Sequence, residues 1–226
     1  MRGGRSKLPV VAEIGGLAPG EARVWSLRRA DFEAMEKLLS LLSEHRVVIT
    51  IGAERLTGAI ALAAAASAAG RSTALVECDL SRPRLAAELG LEAGPGLHEY
   101  LRWEARAAQI LQPLALAGPA ARRASAPLVC ISGGAPADES ATLLRSESFR
   151  HAVAKLRNAY DLAVLVAPSR GSEGSAFETV AASADALLAC VAPRQASGRE
   201  ARELRAAARR LPAELVGAVV VAAPAA

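Results

Sequence analysis

Six short apolar runs, separated by segments with helical periodicity, constrain the fold of this chain more than any other feature. They cover residues 46–51, 72–79, 127–132, 161–167, 186–192 and 215–223. Runs that are apolar on both faces are typical of parallel strands covered by helices on both sides. The alternation therefore predicts an α/β protein with a three-layer, doubly wound and mostly parallel sheet.

The intervening segments carry apolar residues at helical spacing, which predicts helices that pack on this sheet. The clearest stripes are Phe32, Met35, Leu39 and Leu42; Phe149, Val153, Leu156 and Tyr160; and Ala201, Leu204, Ala208 and Leu211. A chain of 226 residues suits one such domain, which we assign to residues 26–226. Residues 1–25 are interpreted as an N-terminal arm or an edge strand, and residues 115–127 as a surface connection.

Composition narrows the functional classes. The 27 basic residues exceed the 23 acidic ones by only four, which is too small an excess to predict binding to nucleic acid. No stretch has the 18 or more apolar residues of a membrane span, and the N-terminus lacks the apolar core of a signal peptide. The three cysteines, Cys78, Cys130 and Cys190, lie within apolar runs and have no metal-ligand spacing. These features predict buried, reduced thiols, no metal site and a cytoplasmic protein.

Residues 50–63, "TIGAERLTGAIALA", join a predicted strand to an alanine-rich predicted helix. Strand, tight loop and helix are the parts of a phosphate-binding loop. Such a loop turns its backbone N–H groups inward through conformations that glycine reaches without strain. Only Gly52 and Gly58 lie near this loop, and it contains no lysine. The sequence therefore has the frame of a nucleotide site without most of its chemistry.

Later stretches resemble, in order, the bacterial tyrosine kinases of capsular and exopolysaccharide synthesis. "LVECDLSRPRL" (75–85) resembles their "DxDxRRPxL" segment, and "GPGLHEYL" (94–101) their "GLSxYL" segment. Residues 132–162 are similar to "AGxxPPNPxELLxSxxFxxLLxxLRxxYDL", residues 184–193 to "ADGVLLVVRP", and residues 7–15 to "LPVLGxIP". This family is a branch of the deviant Walker A ATPases, which include ParA and MinD. The resemblance covers nearly the whole chain and implies a P-loop NTPase-like fold.

The resemblance also shows where the nucleotide motifs depart from the family. The position of the phosphate-binding lysine falls on Arg55, and the glycine before it is Glu54. The hydroxyl residue that would hold Mg²⁺ is Leu56, with Thr57 one place too late. The Walker B aspartate falls on Val166. The resemblance thus implies that this chain lacks both residues with which the family holds Mg²⁺.

These substitutions predict a degenerate site. Glu54 would bring a carboxylate near the triphosphate, and two like charges about 4 Å apart repel by about 4 kcal/mol at an effective dielectric of about 20. Arg55 keeps a cation, but its planar fork needs a different approach to phosphate than a lysine ammonium. Leu56 and Val166 cannot ligate Mg²⁺ or its water shell. No bound cofactor is expected.

Asp79 and Arg82 match the family's segment, and Glu77 stands where the family has its first Walker A′ aspartate. Glu77 and Asp79 are the residual catalytic candidates, and Gly52, Arg55, Thr57 and Arg82 are the residual nucleotide-binding candidates. A structural role is favoured for Asp79 and Arg82, because a base without bound ATP has nothing to act on. Asp79 with Arg82 would be an ion pair capping the sheet, and Glu77 a carboxylate at the mouth of the crevice.

Three functional hypotheses follow from the resemblance. The first is a catalytically silent, kinase-like module of polysaccharide synthesis or export, which docks to a membrane chain-length regulator or to an active kinase homologue and is recruited by it to the inner face of the plasma membrane. Residues 139–146 resemble the family's oligomerisation stretch, so a homo-oligomer is also consistent with it. The second is an active tyrosine autokinase that binds ATP and Mg²⁺ through Arg55, Glu77 and Asp79. The third is a ParA-like or MinD-like partitioning protein, which the 132–162 match favours less.

Overall fold

A computed structural model describes residues 7–15, 24–26, 29–117, 126–168 and 174–222. The strands are β1 Val10–Gly15, β2 Val24–Ser26, β3 Val47–Ile51, β4 Thr73–Glu77, β5 Gln112–Pro113, β6 Ala115–Ala117, β7 Leu128–Ile131, β8 Leu162–Val166, β9 Ala186–Val191 and β10 Glu214–Ala222. The helices are α1 Arg29–Leu41, α2 Arg55–Ala68, α3 Leu85–Glu88, α4 Leu97–Leu101, α5 Ala107–Ile110, α6 Ser140–Arg145, α7 Glu147–Ala159, α8 Gly174–Ala182 and α9 Gly198–Ala208.

Eight of these strands form one sheet in the order β1-β10-β9-β3-β8-β4-β7-β5. Every neighbouring pair is parallel except β5 and β7, which are antiparallel. Each of the six apolar runs supplies one strand, and β3, β4, β8 and β9 are buried along their whole length. The predicted doubly wound, mostly parallel sheet is confirmed, because strands apolar on both faces can be buried only between two layers of helices.

Two hydrophobic clusters, one on each face of the sheet, form the three layers. Helices α1 and α2 cover one face, where Phe32, Met35 and Leu39 of α1 are buried. Helices α7, α8 and α9 cover the other face. Helix α2 is buried from Gly58 to Ala68, which only a run of small side chains permits so close to a sheet. At Gly58, an added Cβ would lie 2.3 Å from the Sγ atom of Cys190.

The N-terminal region contains an edge strand, and the segment after β5 contains a strand that was not predicted. Residues 10–15 form the edge strand β1, which pairs in parallel with β10. Residues 115–117, expected within a surface connection, instead form strand β6, which pairs in parallel with β2. Residues 118–125 of that predicted connection lie outside the described part of the chain. Three residues are too few to show the alternation that identifies a strand in sequence.

No helix in the described ranges combines the length and the apolar character needed to cross a bilayer.

Candidate functional site

The loop between β3 and α2 lies at the carboxyl ends of the parallel strands, the edge at which open α/β sheets bind ligands. Gly52 has a φ of +103°, and a Cβ there would lie 2.3 Å from the carbonyl oxygen of Cys190 on β9. The backbone N–H of Glu54 donates to that same carbonyl at 3.1 Å. The loop is thus fastened to β9, and the Glu54 N–H that a phosphate cradle could use is already bonded.

Arg55 begins helix α2, and its guanidinium is held by three acceptors. Nη2 donates to Oδ2 of Asp79 at 2.8 Å, and Nε donates to the carbonyl oxygen of Ala167 at 2.8 Å. Nη1 donates to the carbonyl oxygen of Gly52 at 3.3 Å. The side chain of Asp79 is only 5% exposed and that of Arg55 22%. The cation predicted to bind phosphate is therefore paired with the carboxylate predicted as a catalytic base.

Glu77, the last residue of β4, accepts three backbone hydrogen bonds. Oε1 accepts from the N–H groups of Arg84 at 2.6 Å and Leu85 at 3.0 Å, and Oε2 accepts from the N–H of Gly133 at 2.9 Å. Burial raises the pKa of Glu77, the three hydrogen bonds lower it in part, and the nearby charge of Asp79 raises it. This carboxylate joins the end of β4 to the start of α3 and to the segment after β7, which is a structural role.

The other predicted site residues are spread around the loop. Thr57 is half-buried in the first turn of α2, and Leu56 packs from a half-buried position against the cluster under α1 and α2. Val166 is 2% exposed and lies beside Thr50 and Glu77 in the sheet register. Arg82 lies between Asp79 and α3, where the Ser81 hydroxyl donates to Oδ1 of Asp79 at 3.2 Å. The structure thus joins Arg55 to Asp79 and gives Glu77 separate partners.

A cleft of about 280 Å³ opens beside the loop. It is lined by Gly52, Ala53, Arg55, Val191, Gln195, Glu200, Glu203 and Leu204. Two glutamates of α9 thus face a cleft whose one cationic lining residue, Arg55, is already paired with Asp79. Among the described residues, no group of three or more His, Cys, Asp and Glu side chains could hold a metal ion. Glu203 is in turn paired with Nε of Arg199 at 2.7 Å, so Glu200 is the carboxylate of the cleft that would most directly repel an anion.

The three cysteines are free and buried, as their apolar context predicts. Burial raises the pKa of each thiol well above its ordinary value, and the charge of Glu54 adds to the effect at Cys190. Since the thiolate is the reactive form, these side chains are inert packing groups.

Sequence reasoning missed the backbone partners of the site. The carbonyl groups of Cys190 and Ala167 and the N–H of Gly133 complete it, yet their side chains carry no signal of that role. The two glycines of "SGG" after β7 were the one available hint, because a Cβ at Gly133 would lie 2.7 Å from Pro83. Glu200 and Glu203, which no motif singles out in the sequence, line the cleft as well.

Comparison with known proteins gives a match in structure only. No protein-family model matches the chain, and no curated protein matches it in sequence. Among solved structures, the chimerical protein CapA2B2 is 16% identical, with 95% of this chain and 94% of that chain covered and a TM-score of 0.76. The kinase domain of the Escherichia coli tyrosine kinase ETK is 17% identical, with 95% and 91% covered and a TM-score of 0.73.

The cell division ATPase MinD of Pyrococcus furiosus is more distant. It is 16% identical, with 77% of this chain and 71% of that chain covered and a TM-score of 0.59. The predicted resemblance to tyrosine kinase domains and to MinD-like ATPases is thereby confirmed in the fold. The chain has the P-loop NTPase fold, and its structural neighbours include both groups.

Proposed function

We propose that the chain is a catalytically degenerate, tyrosine-kinase-like module that acts as a regulatory or docking partner in capsular or exopolysaccharide synthesis and export. The observation that carries the proposal is the pair formed by Arg55 and Asp79 at 2.8 Å. Nucleotide binding would require Arg55 to give up this partner and the carbonyl groups of Gly52 and Ala167. An arginine that is already neutralised gains less from a phosphate than a free cation does.

The acidic residues support the same proposal. Glu77 would have to release three backbone N–H groups before it could act as a base or hold a metal. A buried N–H without an acceptor costs about 1–3 kcal/mol, so that release is opposed by the fold. Val166, at the position of the Walker B aspartate, offers no oxygen ligand. We therefore propose that the module works without ATP and Mg²⁺.

The partner that we propose is of the kinase type or a membrane chain-length regulator, in a cytoplasmic setting beside the membrane. The support is the overall likeness to the kinase domain of ETK, which covers 95% of the chain. A site can lose its chemistry while the surrounding surface still fits a partner, because function resides in particular sites and not in the fold. Two-hybrid or co-purification assays with the kinase and regulator proteins of the same genome would measure this docking.

Nucleotide binding is tested by calorimetry and thermal unfolding with Mg²⁺ and ATP or ADP. We expect no heat of binding and no change in Tm for the natural chain. A matched variant carries Glu54→Gly, Arg55→Lys, Leu56→Thr and Val166→Asp, which restore the glycine, the lysine, the hydroxyl and the aspartate of the family. A shift of several degrees in the natural chain would contradict the proposal, since ligand at about 100 times its Kd adds about 2.7 kcal/mol of stability.

The alternative of an active autokinase gives a different result in mass spectrometry. It requires phosphotyrosine on the purified protein after incubation with ATP, and loss of that phosphotyrosine in Asp79→Ala. We expect none at Tyr100 or Tyr160, which are both only half-exposed.

A further inference from the structure

Trp103 occupies an unusual position at the end of helix α4. The Glu104 N–H donates to the carbonyl of Glu99 at 2.9 Å, and the Trp103 N–H donates to the carbonyl of Tyr100 at 3.1 Å. These are the two hydrogen bonds of a Schellman motif. Trp103 occupies the position of that motif which has a left-handed backbone and is usually glycine. Trp103 has a φ of +65°, and among the described residues it alone has a positive φ without being glycine.

The indole of Trp103 does not contribute to the core. The residue is 78% exposed, the highest exposure among the large hydrophobic residues of the described chain. A left-handed tryptophan is strained relative to glycine, and an exposed indole gains nothing from burial to offset that strain. Exposed tryptophans that become buried on association are among the strongest anchors of protein interfaces. An exposed indole held at a strained position is therefore a candidate anchor for association.

An apolar pocket of about 170 Å³ lies next to this turn. Its walls include Leu97, Ile110, Ile131, Leu156, Tyr100 and Tyr160. Trp103 lies in the chain between Tyr100 and Ala107, which both line the pocket. Engineered cavities of about 150 Å³ hold one benzene ring, so the pocket has room for one six-membered ring, such as the benzene half of an indole.

The charges beside the anchor and the pocket are complementary. Lys155 lines the pocket, with its Nζ 3.3 Å from the hydroxyl of Tyr100 and 6.0 Å from the centroid of the Tyr100 ring. Glu104 follows Trp103 directly and is 50% exposed in its side chain. Its pair with Nε of Arg102 at 2.7 Å is solvated, unlike the pair of Arg55 and Asp79, and contributes little that a new partner would have to replace. Trp103 could therefore fill the apolar pocket while the carboxylate of Glu104 meets the ammonium group of Lys155, which is complementary in both shape and charge.

We propose that two copies of this chain dock symmetrically through this surface, each placing Trp103 in the pocket of the other with Glu104 beside Lys155. An isologous contact needs anchor and receptor close together on one surface, which the turn between Tyr100 and Ala107 provides. A tryptophan buries about 150–250 Å². Two such anchors and their pockets give an interface below the roughly 1,200 Å² of stable complexes, so the dimer is weak. It needs neither nucleotide nor a kinase partner.

Sedimentation equilibrium between about 10 and 300 μM tests the proposal, since weak dimers have dissociation constants in this range. We expect the natural chain to dimerise and Trp103→Gly to be monomeric. Glycine also suits the left-handed position, so dilute Trp103→Gly should melt about 2–4 °C higher than the natural chain. Association and fold stability thus change in opposite directions, which a folding defect cannot produce. Leu41→Ala, at another exposed apolar residue, is the matched control and should still dimerise.

Three further variants address the pocket and the charge beside it. Ala107 and Ala159 are exposed residues of the pocket wall, so Ala107→Leu with Ala159→Leu should fill the pocket without disturbing the core and abolish the dimer. Lys155→Glu should weaken association, and adding Glu104→Lys should restore it. A natural chain that stays monomeric over the whole range would overturn the proposal, as would undiminished association of Trp103→Gly or of the filled pocket. None of these outcomes depends on nucleotide binding, so they leave the proposed function separately testable.

Discussion

An arginine paired with an aspartate lies at the amino ends of the parallel strands, and a second such pair lies at their carboxyl ends. Only the carboxyl ends are where folds of this kind bind ligands. At the amino end, Asp185 accepts from Nη1 of Arg157 at 2.7 and 2.8 Å, and from the N–H groups of Arg46 and Val47 at 2.9 Å. At the carboxyl end, Asp79 accepts from Arg55 at 2.8 Å. The same two residue types thus form an ion pair at both ends of the strands.

The comparison teaches that residue identity at the ligand-binding end is a poor guide to activity when the partners are within the chain. The Asp185 carboxylate joins the starts of β3 and β9 and is structural. At the other end, Glu77 joins β4 to two neighbouring segments in the same manner, through backbone N–H groups. Asp79 and Arg55 neutralise each other beside the cleft. The carboxylates at the carboxyl ends of the strands, where a nucleotide would bind, are therefore bonded to groups within the chain, just as Asp185 is at the amino ends.

The largest expected effect is at Glu77. Glu77→Ala would leave three N–H groups, two of them buried, without their acceptor, and we expect a loss of about 3–5 kcal/mol in the free energy of unfolding. Urea denaturation measures it, and Glu77→Gln, which keeps one acceptor oxygen, should lose less. A loss below about 1 kcal/mol for Glu77→Ala would show that water replaces the carboxylate and would weaken its structural role.

Asp185 tests the amino end. Asp185→Ala removes the acceptor of two backbone N–H groups and the partner of Arg157, and we expect a loss of about 2–3 kcal/mol. The effect is smaller than at Glu77 because the Asp185 side chain is 27% exposed. Asp185→Asn, measured by the same urea titration, should fall between the alanine variant and the natural chain. Equal losses for the two variants would mean that the carboxylate charge matters and its acceptor geometry does not.

Of the three carboxylates, Asp79 in its pair with Arg55 should contribute least to the free energy of unfolding. We expect Arg55→Met to lower the free energy of unfolding by about 1–2 kcal/mol, since Arg55 is partly solvated and water can replace its contacts. Arg55→Lys keeps the charge and loses the fork, and should lose about half as much. Stability unchanged in Arg55→Met would indicate that the pair closes the cleft without stabilising the fold.

The two ends should also differ in the sign of their pH dependence. Burial raises the pKa of Glu77 above 4.5 in the folded state, so its contribution to stability falls as pH rises from 4.5 through the folded pKa. At Asp185 burial acts in the same direction, but the bonds from Val47, Arg157 and Arg46 outweigh it and hold the pKa below 3.8. Its stabilisation is present above 3.8 and is lost as pH falls through the folded pKa.

Urea titrations at several pH values between about 3 and 7 would separate these two contributions, each with a slope of at most about 1.4 kcal/mol per pH unit. Glu77→Gln should remove the fall in stability above pH 4.5, and Asp185→Asn should remove the rise above its folded pKa. The same slope in both variants would contradict the contrast between the two ends.

Much of the fold followed from local pattern. The six apolar runs each became a strand, and the stripes of α1, α7 and α9 became buried faces, because burial of a strand or helix face is written in residue spacing. Strand β6 was missed, since three residues carry no period and its partner β2 is far away in sequence. The loop after β3 lies at the carboxyl ends of the parallel strands, as the strand-loop-helix pattern predicts, but the bonds of Arg55 and Glu77 were not foreseen.

The sequence by itself determined the layers, six of the eight strands of the main sheet, and the absence of the lysine, glycines and aspartate that a nucleotide site of this kind needs. Each of these depends on residue type and spacing along the chain. Only the tertiary structure decided which groups close the site. Arg55, Asp79 and Ala167 come together from segments 24 to 112 residues apart, and backbone carbonyl and N–H groups complete the set. Every residue has those backbone groups, so their partners are fixed by strand order and register and leave no mark in the sequence.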